Sequence, residues 1–427
     1  MPQDPVEPAA VAEPQAPPTG EAGETARQRR RDLRQAALVV SALVIAAACV
    51  ASLLAFWVLR PPPASPPAAS ATRSAASTGS AVPSSAPATP TPATATPTPP
   101  PSTWTFPTQA SVDGSAAAAG GDVYIADDNG DIYALDVATG HQVWKEKASA
   151  QIDSTPYVLD GTLYVGDDTG DFYAIDTAHG KVRWVRNFPG GIDSSATASG
   201  GVLYFGDGNN FVHAVTASTG ATVWTYQTGD TVQSSPAVVN GVVYVGSEDG
   251  NVYALSASRG QVIWTAHTAG PVDSSPAVTD GVLYIGSGDG HVYALDARTG
   301  NALWSTDVGG VVSGRPLVSG GVVYVTSADG SLYALGARAG QELWRTELGG
   351  RLGSSPAVSG GLIYVGSAVN DNNGSLCVVG TDGTADGKIV KEYQTGGQVQ
   401  SNPLVTDGWV IVGSENDEVL GVRLSAS

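Results

Sequence analysis

Residues able to do bond-making chemistry are few in this 427-residue chain, and they are scattered. The five histidines, His141, His179, His213, His267 and His291, fall in separate segments, with no H-E-x-x-H pair to grip a zinc ion. No nucleophile-elbow serine and no G-x-x-x-x-G-K-[ST] phosphate loop occurs. The two cysteines, Cys49 and Cys377, are too few for a disulfide scaffold, a multi-cysteine zinc site or an iron–sulfur cluster. Cys377 has neither a second thiol nor an activating base near it in sequence, so it reads as structural. What recurs is aspartate. Loops such as Asp127-Asp128-Asn129-Gly130-Asp131 and Asp167-Asp168-Thr169-Gly170-Asp171 look like calcium loops but lack the twelfth-position Glu, and hairpin turns explain them better. A second set, Asp113, Asp153, Asp193 and Asp273, stands at multiples of forty residues. Converging carboxylates would capture a cation or a basic segment by a focused negative potential.

Convergence needs a repeated element, and the tryptophans supply it. Trp104, Trp144, Trp184, Trp224, Trp264, Trp304 and Trp344 are spaced forty residues apart. A period of forty with short alternating strands and Gly-rich turns predicts propeller blades rather than a helical solenoid. One unit, residues 232–268, parses into the strands PAVV, VVYVGS, NVYALS and VIWTAH, separated by Asn240-Gly241, Asp249-Gly250 and Arg259-Gly260 turns. Units open at Asp113, Asp153, Asp193, Gln233, Asp273, Ser313, Gly353 and Gln400, predicting an all-β, eight-bladed propeller of four-stranded antiparallel blades. The eighth unit runs out after EVLGVRL (418–424), and Trp104-Thr105-Phe106 is predicted to complete it, closing the ring. The seventh is irregular: Asn370–Asn373 and Thr381–Gly387 lengthen its turns, Lys391 takes the tryptophan position, and Cys377 replaces a tyrosine, as His213 does in the third.

Strand order also sorts the loops. In a four-stranded meander, the turn after the second strand and the link to the next blade share one end. The four unit-opening aspartates are therefore predicted to ring a channel mouth, with Arg315 opposite most of them. Asp is also a common turn residue, so a merely solvated face is the plainer reading.

The stretches YALDVATGHQVW (133–144), YAIDTAHGKVRW (173–184) and YALDARTGNALW (293–304) share the pattern A-x-D-x-x-T-G-x-x-x-W. This resembles the tryptophan-docking repeat of the pyrroloquinoline-quinone-like (PQQ-like) β-propellers, and the resemblance covers residues 104–427. Two branches of that family bear on function. Its quinoprotein dehydrogenases typically carry an adjacent cysteine pair, roofing insertions and often a C-x-x-C-H haem module, and this sequence has none of these. The resemblance is closer to the BamB-like scaffold branch. It implies a non-catalytic, protein-binding ring, with PQQ and Ca²⁺ not expected as cofactors. The alternatives are a PQQ-dependent oxidoreductase and a ligand sensor using the channel.

Residues 1–35 carry almost no bulky apolar side chain and read as a disordered tail. Residues 36–59 contain no charge and are long enough for a transmembrane helix of about 36 Å. Arg27, Arg29, Arg30, Arg31 and Arg34 precede this span and Arg60 follows it, so the N-terminus is predicted cytoplasmic and the remainder extracytoplasmic, at a bacterial surface or in a periplasm. A cleaved leader with lipidation at Cys49 is the competing account, from Ala46-Ala47-Ala48-Cys49. Residues 60–103, rich in Pro, Ala, Ser and Thr, read as an extended linker to the propeller at 104–427. The propeller segment holds 34 of the 40 acidic residues and 14 of the 21 lysines and arginines, which excludes nucleic acid as a partner and favours basic protein segments.

Overall fold

In a computed structural model of the chain, the described residues are 102–370, 373–381 and 386–424. The predicted tail (1–35), membrane helix (36–59) and nearly all of the linker (60–103) lie outside them. Among the described residues no helix is long and apolar enough to cross a membrane.

The described residues form thirty-two strands, from β1 (Thr103–Pro107) to β32 (Glu418–Arg423), in eight four-stranded antiparallel sheets. Blade one is β2 (Ala117–Ala119), β3 (Asp122–Ala126), β4 (Asp131–Asp136) and β5 (Gln142–Lys147), hydrogen-bonded in that order from the inside outward. Blades two to seven repeat this meander. The two middle strands of each blade are packed on both faces, which is why they read as apolar runs such as VYIA and IYAL rather than as alternation. The outer strand is half exposed. Its ladder slips between Ala134 and Leu135, leaving Val143 as a bulge, and the same slip recurs in blades two to seven. A bulge of this kind twists the edge and blunts it against pairing with another chain.

Neighbouring blades are joined by the tryptophans. Trp144 Nε1 donates to Thr177 O at 2.7 Å, Trp224 Nε1 to Ala257 O at 2.8 Å and Trp264 Nε1 to Ala297 O at 3.0 Å, each acceptor lying in the next blade. The same carbonyls take a tyrosine hydroxyl: Tyr204 donates to Ala257 O and Tyr244 to Ala297 O. Both lone pairs of one oxygen are thus used by a polar tip whose ring fills the gap between blades. The indole rests on a turn glycine. At Gly180, φ is +67°, and a Cβ would stand 2.8 Å from the Trp144 ring, so the turn excludes every other residue twice over.

Ring closure follows the sequence expectation. β1 pairs with β32 from Thr103↔Val422 to Pro107↔Glu418, supplying the fourth strand beside β30 (Leu404–Thr406) and β31 (Trp409–Ser414). Trp104 Nε1 reaches Val137 O of blade one at 3.0 Å. Its ring lies 6.2 Å from that of Trp409, and the residue opposite it is Gly421 where blades one to six carry alanine, because a Cβ there would meet the indole at 2.2 Å.

Blade seven departs from its prediction in one respect. The Asn370–Asn373 insertion lengthens the strands as well as the turn: β27 runs Leu362–Asn370 and β28 runs Asn373–Gly380. Extra residues that can alternate and pair prolong a ladder at no cost in unsatisfied backbone. Most of the Thr381–Gly387 insertion lies outside the described residues. Lys391 occupies the tryptophan position opposite Val378, with Nζ 4.3 Å from the Tyr393 ring centroid. The fourth strand of blade eight is β1, so among the described residues its third and fourth strands share no hairpin turn to offer an indole its glycine.

Replacing Trp104 by Ala is expected to cost about 3–5 kcal/mol, since it removes a buried indole from the closing strand. Val143→Ala, on the exposed bulge, is expected to stay within roughly 0.5 kcal/mol of the parent. Thermal unfolding followed by circular dichroism checks both; an unchanged midpoint in the Trp104 variant would refute the closure energetics.

Candidate functional site

The links between blades converge on the central channel with a strict alternation. Val112, Ile152, Ile192 and Val272 are buried; the next residue, Asp113, Asp153, Asp193 or Asp273, lies on the channel side; the residue after it is buried again. The buried hydroxyls staple the ring. Ser194 Oγ donates to Ser234 O, Ser234 Oγ to Ser274 O and Ser274 Oγ to Gly314 O, at 2.9–3.1 Å, while Gly206, Gly246 and Gly286 N–H groups donate to the same three oxygens. Blade six has Gly314 at this place, and Thr326 on its second strand supplies the hydroxyl instead, donating to Ser354 O at 2.7 Å.

The second-strand turns abut these links, as the parity argument requires. Asp128 N donates to Ser111 O, Asp168 N to Gln151 O and Glu248 N to Thr231 O. The first aspartate of each such turn is consumed locally. Asp127 Oδ1 accepts from Asn129 N and Asp131 N, and its Oδ2 accepts the Tyr133 hydroxyl at 3.0 Å. Asp167 makes the same bonds with Thr169, Asp171 and Tyr173. The calcium-loop look is therefore that of a side-chain-capped turn. In blade three, His213 Nε2 meets Asp207 Oδ2 at 2.8 Å in place of the tyrosine, and in blade seven the buried Cys377 lies near Ser375 and Ser367. Burial pushes the Cys377 thiol up, away from the reactive thiolate.

The second aspartate of the first two turns is different. Asp153, Asp168 and Asp193 each bring a carboxylate oxygen within 4.8 Å of the others. Asp128 is half-buried beside them, and one of its oxygens is sealed from solvent without a hydrogen bond. Burial, and then the charges of Asp113, Asp153, Asp127 and Asp168, push its pKa to about 8. Burial, with Asp153 and Glu248, pushes Asp193 to about 6. The structure thus gathers Asp113, Asp153 and Asp193 into an acidic arc across blades one to three, and adds Asp128 and Asp168. Those two were legible only as turn acids; their place at the mouth follows from the turn-to-link hydrogen bonds. Asp273 lies on the blade-five link, and Arg315 on the blade-six link, across the ring from blade two. No described carboxylate forms an ion pair with Arg315; its side chain is open to the channel yet walled closely enough for burial to lower its pKa.

Residues 152–370, just over half of the chain, match the family described as the β-propeller of the beta-alanine-activating enzyme. Residues 96–190 and 328–426 match the family described as outer membrane protein assembly factor BamB. The chain belongs to the PQQ-like repeat β-propellers. Among solved structures, BamB from Moraxella catarrhalis superposes with a TM-score of 0.65 at 22% identity, covering 75% of this chain and 98% of that one. The computationally designed Ika8 protein gives 0.63 at 17%, covering 74% and 98%. A quinohemoprotein alcohol dehydrogenase from Pseudomonas putida HK5 gives 0.61 at 16%, covering 76% of each chain. No curated protein matches. At these identities the solved structures attest the propeller alone, and function must be argued from this chain's own residues.

Asp128 carries a consequence for stability. Its folded pKa is raised, so the folded state binds an extra proton between the ordinary carboxylate pKa, about 4, and about 8. Stability is full below that window and falls as pH rises through it. Asp128→Asn should therefore match the parent at pH 4 and exceed it at pH 8 by about 1–2 kcal/mol after solvent screening. Denaturant unfolding at the two pH values checks this; identical pH slopes would refute it.

Proposed function

We propose that this propeller is a non-catalytic, protein-binding scaffold that takes a basic segment of its partner at the acidic arc. The observation that carries the reading is the crowding of Asp113, Asp128, Asp153, Asp168 and Asp193 at one sector of the channel mouth, close enough that Asp128 is pushed to a pKa of about 8 and Asp193 to about 6. Such a cluster is destabilising in isolation, and a lysine or arginine side chain would relieve it while gaining a desolvated partner. The buried His213–Asp207 pair does not build an active site, because the other ring nitrogen of His213 has no hydrogen-bond partner and so activates no nucleophile. A quinone-enzyme reading is weaker, since the sequence has no adjacent cysteine pair. The family match to the outer-membrane assembly factor supports a scaffold.

The same reading places the ring outside a bacterial membrane, held by the span at 36–59 and spaced from it by residues 60–103. The support is the arginine asymmetry around the span. Protease added to intact cells, or to cells with permeabilised outer layers, is expected to remove the propeller; a protected propeller would overturn the orientation.

Asp113→Asn, Asp153→Asn, Asp193→Asn and Asp273→Asn made together should weaken binding of a lysine-rich peptide at least tenfold and flatten its salt dependence, with the melting curve intact. Fluorescence anisotropy at two ionic strengths reads this out. Equal affinity of parent and quadruple variant would discard the capture hypothesis.

A further inference from the structure

Two residues beyond each unit-opening position, the channel wall carries a second ring: Ser115, Thr155, Ser195, Ser235, Ser275, Arg315, Ser355 and Asn402. Its hydrogen bonds run one way round the ring. Thr155 N donates to Ser195 Oγ, Ser195 N to Ser235 Oγ and Ser235 N to Ser275 Oγ; Arg315 N donates to Ser355 Oγ, Ser355 N to Asn402 Oδ1 and Asn402 N to Ser115 Oγ. Six of the eight side chains therefore act as acceptors toward the backbone. Each serine hydroxyl still has its own proton, Asn402 has an amide NH₂, and Arg315 has its guanidinium. Among the described residues, none of these donors has a protein acceptor. Each side chain that accepts a backbone N–H thus keeps a donor with no protein acceptor at the channel wall.

The electrostatics single out one sector. In blades six and seven the unit-opening positions are Ser313 and Gly353, and the turn positions that hold Asp128 and Asp168 elsewhere hold Ala328 and Ala368. Arg351 is exposed on the link entering blade seven, its N–H bonded to Ala368 O at 3.2 Å. Among the described residues, the two arginines thus stand on links that carry no carboxylate of their own, across the ring from the acidic arc, with Asp273 on the neighbouring blade-five link. Arg315 interrupts the ring of hydroxyls, since a guanidinium offers no acceptor, and it is crowded by the wall, so its hydration is reduced.

We propose that this sector is a binding site for the oxyanion group of a small molecule, a carboxylate or a phosphate, anchored by the Arg315 fork and completed by the Ser355 hydroxyl and the Asn402 amide. A forked guanidinium beside hydroxyl and amide donors matches an oxygen-rich anion, and its positive charge repels a cation. The site goes beyond the capture of a basic segment, which uses the opposite sector and different residues, so either can fail without the other.

Isothermal titration calorimetry of the full-length chain in detergent micelles, with inorganic phosphate and separately with succinate at constant ionic strength set by chloride, tests the site. One saturable site of roughly millimolar affinity or tighter is expected for at least one probe. Arg315→Gln should weaken it at least tenfold while leaving the melting curve and the lysine-rich peptide affinity unchanged, and Arg315→Lys should recover only part of the loss. A preference for phosphate or for succinate identifies which oxyanion the sector fits. Absence of saturable heat with both probes, or undiminished binding in Arg315→Gln, would overturn the proposal.

Discussion

Everything in this ring hangs on one contact repeated from blade to blade: an indole lying on a turn glycine, with its N–H on a carbonyl of the next sheet. A four-stranded sheet alone has two open edges and two apolar faces, and neither is stable in water. Docking each outer tryptophan onto the following blade covers those faces, and the meander then has no freedom in the angle between sheets. The forty-residue period is the consequence, since any insertion inside a repeat must leave the tryptophan, the glycine and the shared carbonyl in register. The seventh blade shows how the rule yields. Its lengthened hairpin grows away from the contact, and its outer strand substitutes Lys391 over Tyr393 where the next blade provides no hairpin turn to dock on.

That dependence explains what could be read in advance. Strand pattern, blade number and the role of Trp104 all follow from local periodicity, because docking residues recur at fixed spacing and each contact links neighbouring repeats. The channel was half legible. Parity of the meander places Asp113, Asp153, Asp193 and Asp273 at one end, but it is silent on which turns lean over which links. Asp128 and Asp168 reach the mouth through backbone bonds to Ser111 and Gln151 that no spacing encodes. The donor ring was hidden for another reason. Serine at Ser195, Ser235 or Ser275 is unremarkable in sequence, and only the N–H bonds it accepts show that its oxygen serves the backbone and leaves its own proton without a protein acceptor.

The exchange between Gly314 and Thr326 bears on how a symmetric ring acquires an asymmetric channel. In blades three to five a serine hydroxyl ties the link both to its own second strand and to the next blade. Moving that hydroxyl onto Thr326 preserves the inter-blade bond to Ser354 O while leaving the link with a glycine beside Arg315. A Cβ at Gly314 would stand 2.9 Å from the Thr326 hydroxyl, so the two changes require each other. The stapling function is kept and the link in which a serine has become an arginine is altered without opening the ring.

An eightfold scaffold would ordinarily present eight equivalent walls. Here Asp113, Asp128, Asp153, Asp168 and Asp193 gather at one side of the mouth while the channel-facing Arg315 stands across from blade two, with Asp273 on the neighbouring link and no ion pair formed between Arg315 and a described carboxylate. If the charges served stability, the fold has close sites where they could have been paired, as Lys145 and Lys147 are with Asp131 on the outer face of blade one. Holding them apart at the channel costs interaction energy and keeps both groups incompletely solvated. On that separation rest the two proposed sites, for ligands of opposite charge at different sectors of one channel.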